Sequence, residues 1–87
     1  MTVPHLDAFL EMLAAERGAA QNTLAAYRRD LVDAAASLAA TPLDEARPDG
    51  LNRYLAGLAA SGLSRATSAR RLSALRQYFQ FLMNVIN

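Results

Sequence analysis

The sequence predicts an all-α fold, a bundle of four helices, and three observations support this prediction. First, alanine and leucine, which favour helix strongly, account for 19 and 14 of the 87 residues. Second, apolar residues recur with the helical period, and no stretch alternates as a half-buried strand would. Third, most prolines and glycines fall between the apolar stretches. A chain of this length is expected to form one domain over 1–87.

The first two helices are predicted at about 3–17 and 20–38. Gly18 can end the first helix, whose apolar stripe follows i, i+3, i+4, i+7 spacing and comprises Leu6, Phe9, Leu10 and Leu13. The apolar stripe of the second comprises Leu24, Tyr27, Leu31, Ala34, Ala35 and Leu38. The stretch 39–49 is the least regular and allows one turn of helix at 43–46.

The third and fourth helices are predicted at about 48–60 and 64–83. The third directs Leu51, Tyr54, Leu55 and Leu58 inward and ends at Gly62. Ser64 is a good N-cap for the fourth helix. The fourth helix carries an apolar face made of Leu72, Leu75, Phe79, Leu82 and Ile86. Phe79 is expected at the centre of the core.

Composition argues against several classes of protein. The chain has no cysteine and one histidine, so disulfide frameworks, thiol nucleophiles and multi-histidine metal sites are not expected. No apolar run approaches the ~18 residues that span a bilayer, and no secretory leader is recognisable. His5 and the acid pair Asp7 and Glu11 are explained by a solvated helix surface. No enzyme active site and no cofactor are therefore expected within this chain.

Charge is distributed unevenly along the chain. Residues 1–49 hold eight acids and four arginines, a net charge of −4, whereas residues 50–87 hold five arginines and no acid, a net charge of +5. Such an asymmetry indicates a polyanionic or acidic partner for the C-terminal half.

The fourth helix is the candidate binding element. A helical wheel predicts that Arg70, Ser73 and Gln77 lie opposite the apolar stripe, and that small neighbours keep this surface low. Basic side chains, hydroxyls and little bulk suit a helix that enters a DNA groove. The same pattern fits an ordinary solvated face, or a protein-interaction domain whose basic fourth helix docks an acidic partner. In the second helix, Arg29 is expected to pair with Asp33.

Two separated motifs resemble one known family. The strings NTLAAYRRDL (22–31) and GLSRATSARRLSALRQYFQFL (62–82) are similar to the N-terminal core-binding domain of tyrosine site-specific recombinases, the Xer-type recombinases and phage integrases. The resemblance covers nearly the whole chain. It implies a SAM-like four-helix fold in which the second and fourth helices face duplex DNA, as one half of a clamp that a separate catalytic domain completes.

The same resemblance implies the biological setting. Four recombinase protomers would meet in a synaptic complex during strand exchange, in the cytoplasm and associated with the nucleoid, with no membrane and no small-molecule substrate. The catalytic residues of the family belong to the other domain, so none of Tyr27, Tyr54 and Tyr78 is expected to be the nucleophile. The parent protein is expected to be a tyrosine recombinase.

Residues are carried over from these two motifs as expected DNA contacts. They are Asn22, Thr23, Arg28, Arg29, Ser64, Thr67, Arg70, Arg71, Ser73, Arg76 and Gln77. Some positions depart from the family pattern. Ala20 and Arg47 stand where capping residues are usual, and Ala34 and Ser68 replace larger inward side chains, which predicts a thinner core and weaker helix starts.

Overall fold

Four α-helices make up the fold of residues 3–38 and 41–86. The structure is a computed structural model that describes these two ranges, and they contain helix and no strand. The helices are α1 (Leu6–Arg17), α2 (Gln21–Ser37), α3 (Pro48–Ala60) and α4 (Arg65–Ile86), with a short 3₁₀ turn at Leu43–Glu45 between α2 and α3. The all-α, four-helix prediction is confirmed.

The ends of the helices follow local capping chemistry. Helix α1 begins later than expected because His5 has a left-handed backbone (φ +61°), and it ends at Gly18, whose amide donates to the Leu13 carbonyl. Helix α4 begins after Ser64, whose Oγ accepts the amide of Thr67 at 3.1 Å. That contact confirms Ser64 as an N-cap. Ala20 and Arg47 precede α2 and α3 without a side-chain cap, as their types predict.

The core lies where α1, α2 and α4 meet, and the 3₁₀ turn closes it. Phe9, Leu31, Leu43 and Tyr78 are its largest fully buried side chains. The ring of Phe9 meets Tyr78 edge-on at 5.9 Å between centroids. The Tyr78 hydroxyl donates to the Pro4 carbonyl at 2.9 Å, so the buried polar group is satisfied. The most extensive contact between helices joins α2 and α4.

The buried face of α4 differs from the expected one. Ala74, Leu75, Tyr78 and Phe81 are buried, whereas Phe79 is only half-buried. Phe79 instead lines a shallow apolar cleft on the α3 side, together with Leu51, Leu55, Leu72 and Met83. Apolar residues therefore cover two adjoining sides of α4, and the sequence pattern selected the side towards α3. The side chain of Ile86 lies outside the described residues.

None of the helices in the described ranges is both long enough and apolar enough to cross a membrane.

The two phenylalanines provide a test of the core assignment. Replacing the fully buried Phe9 with alanine is expected to lower the free energy of unfolding by about 3–5 kcal/mol, because it removes a ring from the packed centre. Phe79→Ala is expected to cost about 1–2 kcal/mol, since its ring already borders solvent. Urea denaturation monitored by circular dichroism measures both values. Equal losses for the two variants would contradict the placement of the core.

Candidate nucleic-acid interface

The contact between α2 and α4 gathers four of the eleven residues expected to bind DNA, namely Arg70, Arg71, Ser73 and Gln77. Tyr27 of α2 pairs with Gln77 of α4, and Asp30 pairs with Arg70. The numbering rises on one helix as it falls on the other, so the two helices run in opposite senses across this contact. Gln77 also donates to the Ser73 hydroxyl at 2.9 Å. Polar side chains therefore join α2 and α4 beside the apolar core.

Asp30 is the centre of this contact. Its side chain is 2% exposed, and its two oxygens accept Nε and Nη2 of Arg70 at 2.8 and 2.9 Å. Arg71 Nε lies 3.6 Å from the same carboxylate. A buried carboxylate is unfavourable without counter-charges and donors, and the two guanidinium groups supply them. The hydrogen bond to Asp30 in turn raises the pKa of Arg70.

A second cluster links Arg71 to α3. Nη1 of Arg71 donates to Asp33, and the Tyr54 hydroxyl donates to the same Asp33 oxygen at 2.9 Å. Burial raises the pKa of Tyr54 to about 12, and the neighbouring Asp33 also raises it. We call Asp30, Asp33, Tyr54, Arg70 and Arg71 the arginine–aspartate network. It connects α2, α3 and α4 through charged hydrogen bonds.

The network changes the expected orientation of α4. Arg70, Ser73 and Gln77 lie opposite the predicted stripe, but that side of α4 packs against α2, so they are half-buried and do not form a free outer surface. The expected pair between Arg29 and Asp33 is also wrong, because Asp33 is engaged by Arg71 and Tyr54. The role of Asp30 was missed in the sequence. The sequence signal for this role is that Asp30 stands among the buried positions of α2. A buried acid requires a cationic partner, which must come from another helix.

The solvent side of α4 carries two further arginines. Arg65 and Arg76 are exposed, and neither forms an ion pair within residues 3–38 and 41–86. They are eleven residues apart, which places them on one side of the helix and about 16 Å apart along it. Ala69 lies between them and is exposed, and Leu72 also lies between them, half-buried on the side towards α3. Arg29 is exposed on α2.

The remaining expected contacts occupy three different positions. Asn22 and Thr23 are exposed in the first turn of α2. Ser64 and Thr67 are joined by a 3.0 Å hydroxyl contact at the start of α4. Arg28 faces α1 instead of α4, where it pairs with Asp7 at 2.9 Å. The structure thus brings Arg70 and Arg71 together at Asp30, and it separates Arg28 from them.

The stability of the network is testable by comparing two aspartates. Asp30→Ala is expected to lower the free energy of unfolding by about 2–4 kcal/mol, because it leaves Arg70 and Arg71 without their buried counter-charge. Asp7→Ala breaks the exposed pair with Arg28 and is expected to have little effect. Chemical denaturation of both variants provides the measurement. Similar losses of unfolding free energy in the two variants would show that the burial of Asp30 adds nothing to stability.

Alkaline pH tests the environment of Tyr54. Its native pKa of about 12 exceeds the ordinary value of 10.0, so the fold binds this proton more tightly than the unfolded chain. The free energy of unfolding should therefore fall as the pH rises from 10 towards 12. Tyr54→Phe removes this contribution, and its decline over that window should be shallower than in the wild type. Denaturation curves at several pH values compare the two slopes; identical slopes would contradict the assignment.

Comparison with known proteins agrees with this architecture. The family model described as phage integrase, N-terminal SAM-like domain, matches residues 6–85. The chain is 51% identical over 84 residues to tyrosine recombinase XerD of Rhizobium meliloti, a match that covers 94% of this chain and 27% of that protein. It is 54% identical over 79 residues to XerD of Brucella abortus, covering 88% of the chain and 26% of the relative.

A XerC protein is equally similar. Tyrosine recombinase XerC of Erythrobacter litoralis is 56% identical over 79 residues, covering 91% of this chain and 24% of that protein. The chain thus spans about a quarter of the length of the curated relatives it matches. No solved structure gives a significant match. The match over residues 6–85 and the identities above show that this chain belongs to the family of phage integrase N-terminal SAM-like domains, as found in the tyrosine recombinases.

Proposed function

We propose that this domain binds duplex DNA through the exposed surface of α4 together with exposed residues of α2. The observation that carries the proposal is the unbalanced positive charge of α4. Four arginines lie on this helix and no acid does, and two of the four, Arg65 and Arg76, project to solvent. A low, basic helix surface in a family of recombinase domains is what binding to a phosphate backbone requires.

The spacing of the two exposed arginines suits a DNA groove. Their separation along the helix is about 16 Å, and the DNA major groove is about 12 Å wide. If α4 lies across the groove, the two guanidinium groups can contact phosphates on its two opposite edges. Ala69 keeps the helix surface between the two arginines low, and the half-buried Leu72 borders it on the side towards α3. Arg29 adds an exposed positive charge on α2. Such phosphate contacts fix the position of the protein, and base contacts then supply sequence preference.

The expected contacts divide by their structural roles. We assign direct DNA contact to Arg65 and to most of the expected residues: Asn22, Thr23, Arg29, Ser64, Thr67, Arg70, Ser73, Arg76 and Gln77. Arg71 is assigned a bracing role, because its side chain is 21% exposed and engaged by Asp33 and Asp30. Arg28 is assigned to the α1 contact through Asp7.

For the whole protein we propose the role of a tyrosine recombinase. This domain would form one half of a clamp around the recombination site, and catalytic residues elsewhere in the protein would break and rejoin the strands. Four protomers would assemble with two duplexes, in the bacterial cytoplasm at the nucleoid. Support comes from the three relatives described above, which are tyrosine recombinases.

A DNA titration tests the proposed surface. The domain alone is expected to bind a random-sequence duplex weakly, with a dissociation constant of about 10⁻⁴–10⁻⁶ M that rises with salt. Replacing both Arg65 and Arg76 with alanine should weaken binding and flatten the log–log salt slope by about two units, roughly one for each lost phosphate contact. Fluorescence anisotropy at several salt concentrations gives both quantities.

Arg53→Ala serves as the control, because it removes one positive charge from an exposed position on α3. It should leave the salt slope nearly unchanged. An Arg65→Ala/Arg76→Ala protein that is folded yet binds DNA with wild-type affinity and slope would overturn the proposal. That result would favour the alternative in which the basic helix docks an acidic protein.

A further inference from the structure

Asp30 binds two arginines, one of which reaches the protein surface. Asp30 itself is the only charged residue that is buried in the described ranges. The Arg70 side chain is 39% exposed, and that of Arg71 is 21% exposed. The carboxylate therefore lies behind a guanidinium that reaches the outer surface of α2 and α4.

The hydrogen bonds to Asp30 leave part of Arg70 available. A guanidinium has five N–H donors in a rigid fork. Asp30 accepts from Nε and from Nη2, which fixes the plane of the group. Nη1 forms no hydrogen bond within residues 3–38 and 41–86 and is not buried. Its two donors are oriented by the carboxylate behind them.

We propose that Asp30 is a positioning residue for DNA binding, which holds the Arg70 guanidinium with its Nη1 donors directed at an acceptor of the duplex. The inference rests on the proposed function and assigns a second role to a residue that touches no DNA. An oriented guanidinium loses less conformational entropy on binding than a free side chain does. Asp30 therefore strengthens binding although it carries a negative charge.

Asp33 provides a matched contrast. It lies three residues further along α2, and it is half exposed and engaged by Arg71 and Tyr54, with no contact to Arg70. An exposed carboxylate near this surface repels phosphates without orienting a DNA contact. Removing the charge of Asp33 should therefore favour DNA binding, whereas removing the charge of Asp30 should oppose it.

Whether the DNA affinity falls or rises distinguishes a positioning role of Asp30 from a purely electrostatic one. Asp30→Asn and Asp33→Asn each raise the net charge by one, so a purely electrostatic role predicts tighter binding for both. Positioning predicts that Asp30→Asn binds a random-sequence duplex about five- to tenfold more weakly, the size of one ordinary hydrogen bond. Asp33→Asn should bind equally well or slightly more tightly. Fluorescence anisotropy, on proteins whose folding circular dichroism confirms, measures both changes.

A double-mutant cycle with Arg70→Ala distinguishes positioning from general loosening of the fold. In the Arg70→Ala background, Asp30→Asn should no longer weaken binding, since the group that it orients is gone. The salt slope identifies the acceptor: a slope flatter by about one unit in Arg70→Ala indicates a phosphate oxygen, and an unchanged slope with weaker binding indicates a base edge. Either acceptor supports the inference.

Arg70→Lys keeps the test decisive if Asp30→Asn fails to fold. Lysine retains the charge and can pair with Asp30, but it lacks the fork that engages the carboxylate and DNA together. We expect it to bind about five- to tenfold more weakly, as Asp30→Asn does. Wild-type affinity in Arg70→Lys would overturn the inference. Asp30→Asn binding as tightly as wild type or more so, or weakened equally without Arg70, would also overturn it.

Failure of the inference and failure of the proposed function are distinguishable. If the wild type does not bind DNA, or if Arg65 and Arg76 do not matter, the proposed function is wrong and the inference falls with it. If those two arginines matter while Asp30→Asn leaves affinity unchanged or raises it, DNA binding stands and only the positioning role is wrong.

Discussion

A single buried carboxylate constrains how the helices of this domain pack. Asp30 lies on α2 beside fully buried Leu31, in a position that excludes water. Burying an uncompensated carboxylate would cost several kcal/mol, so α2 must remain where α4 can supply guanidinium groups. Both Arg70 and Arg71 do so. The rotation of α4 about its axis is thereby fixed by charge as well as by apolar packing.

That rotation determines which arginines are available at the surface. Four arginines of α4 contribute equally to the net charge of the C-terminal half, yet Arg70 and Arg71 are compensated by Asp30 and Asp33. Arg65 and Arg76 have no such compensation in the described ranges. The electrostatic potential outside α4 therefore depends on fewer charges than the sequence contains. Net charge alone is a poor measure of how strongly such a surface attracts phosphates.

Much of the fold is predictable from the sequence because its signals are local. Apolar periodicity and the caps at Gly18 and Ser64 located the helices to within a few residues. The rotation of α4 about its own axis was harder to predict from the sequence. Phe79 and Phe81 are equally apolar, and both lie within a broad apolar surface that contacts three helices, so periodicity alone could not show which one belongs to the core. That distinction depends on tertiary packing.

The candidate site also combines features that are local in the sequence with features that depend on tertiary contacts. Its residues are grouped by motif in the sequence, and the structure places the α4 residues near one another as expected. Their partners could not be inferred, because an arginine pairs through space with whichever acid the fold brings close. Arg29 and Asp33 have ideal helical spacing, but Asp33 turns towards Arg71 and Tyr54 on other helices. A tertiary contact with two donors outweighs one exposed pair along a helix.

Arg70 is the residue at which folding and proposed binding meet. One edge of its guanidinium satisfies a buried charge, and the other reaches the solvent at the surface of α2 and α4. We expect substitutions there to change both the stability and the proposed DNA affinity, and substitutions at Arg65 or Arg76 to change the surface alone. A loss of DNA binding at Arg70 is therefore interpretable only beside a measured free energy of unfolding. The internal pair that makes Arg70 costly to replace also gives its guanidinium a defined orientation, and a defined orientation favours selective contact with one acceptor over diffuse attraction to many.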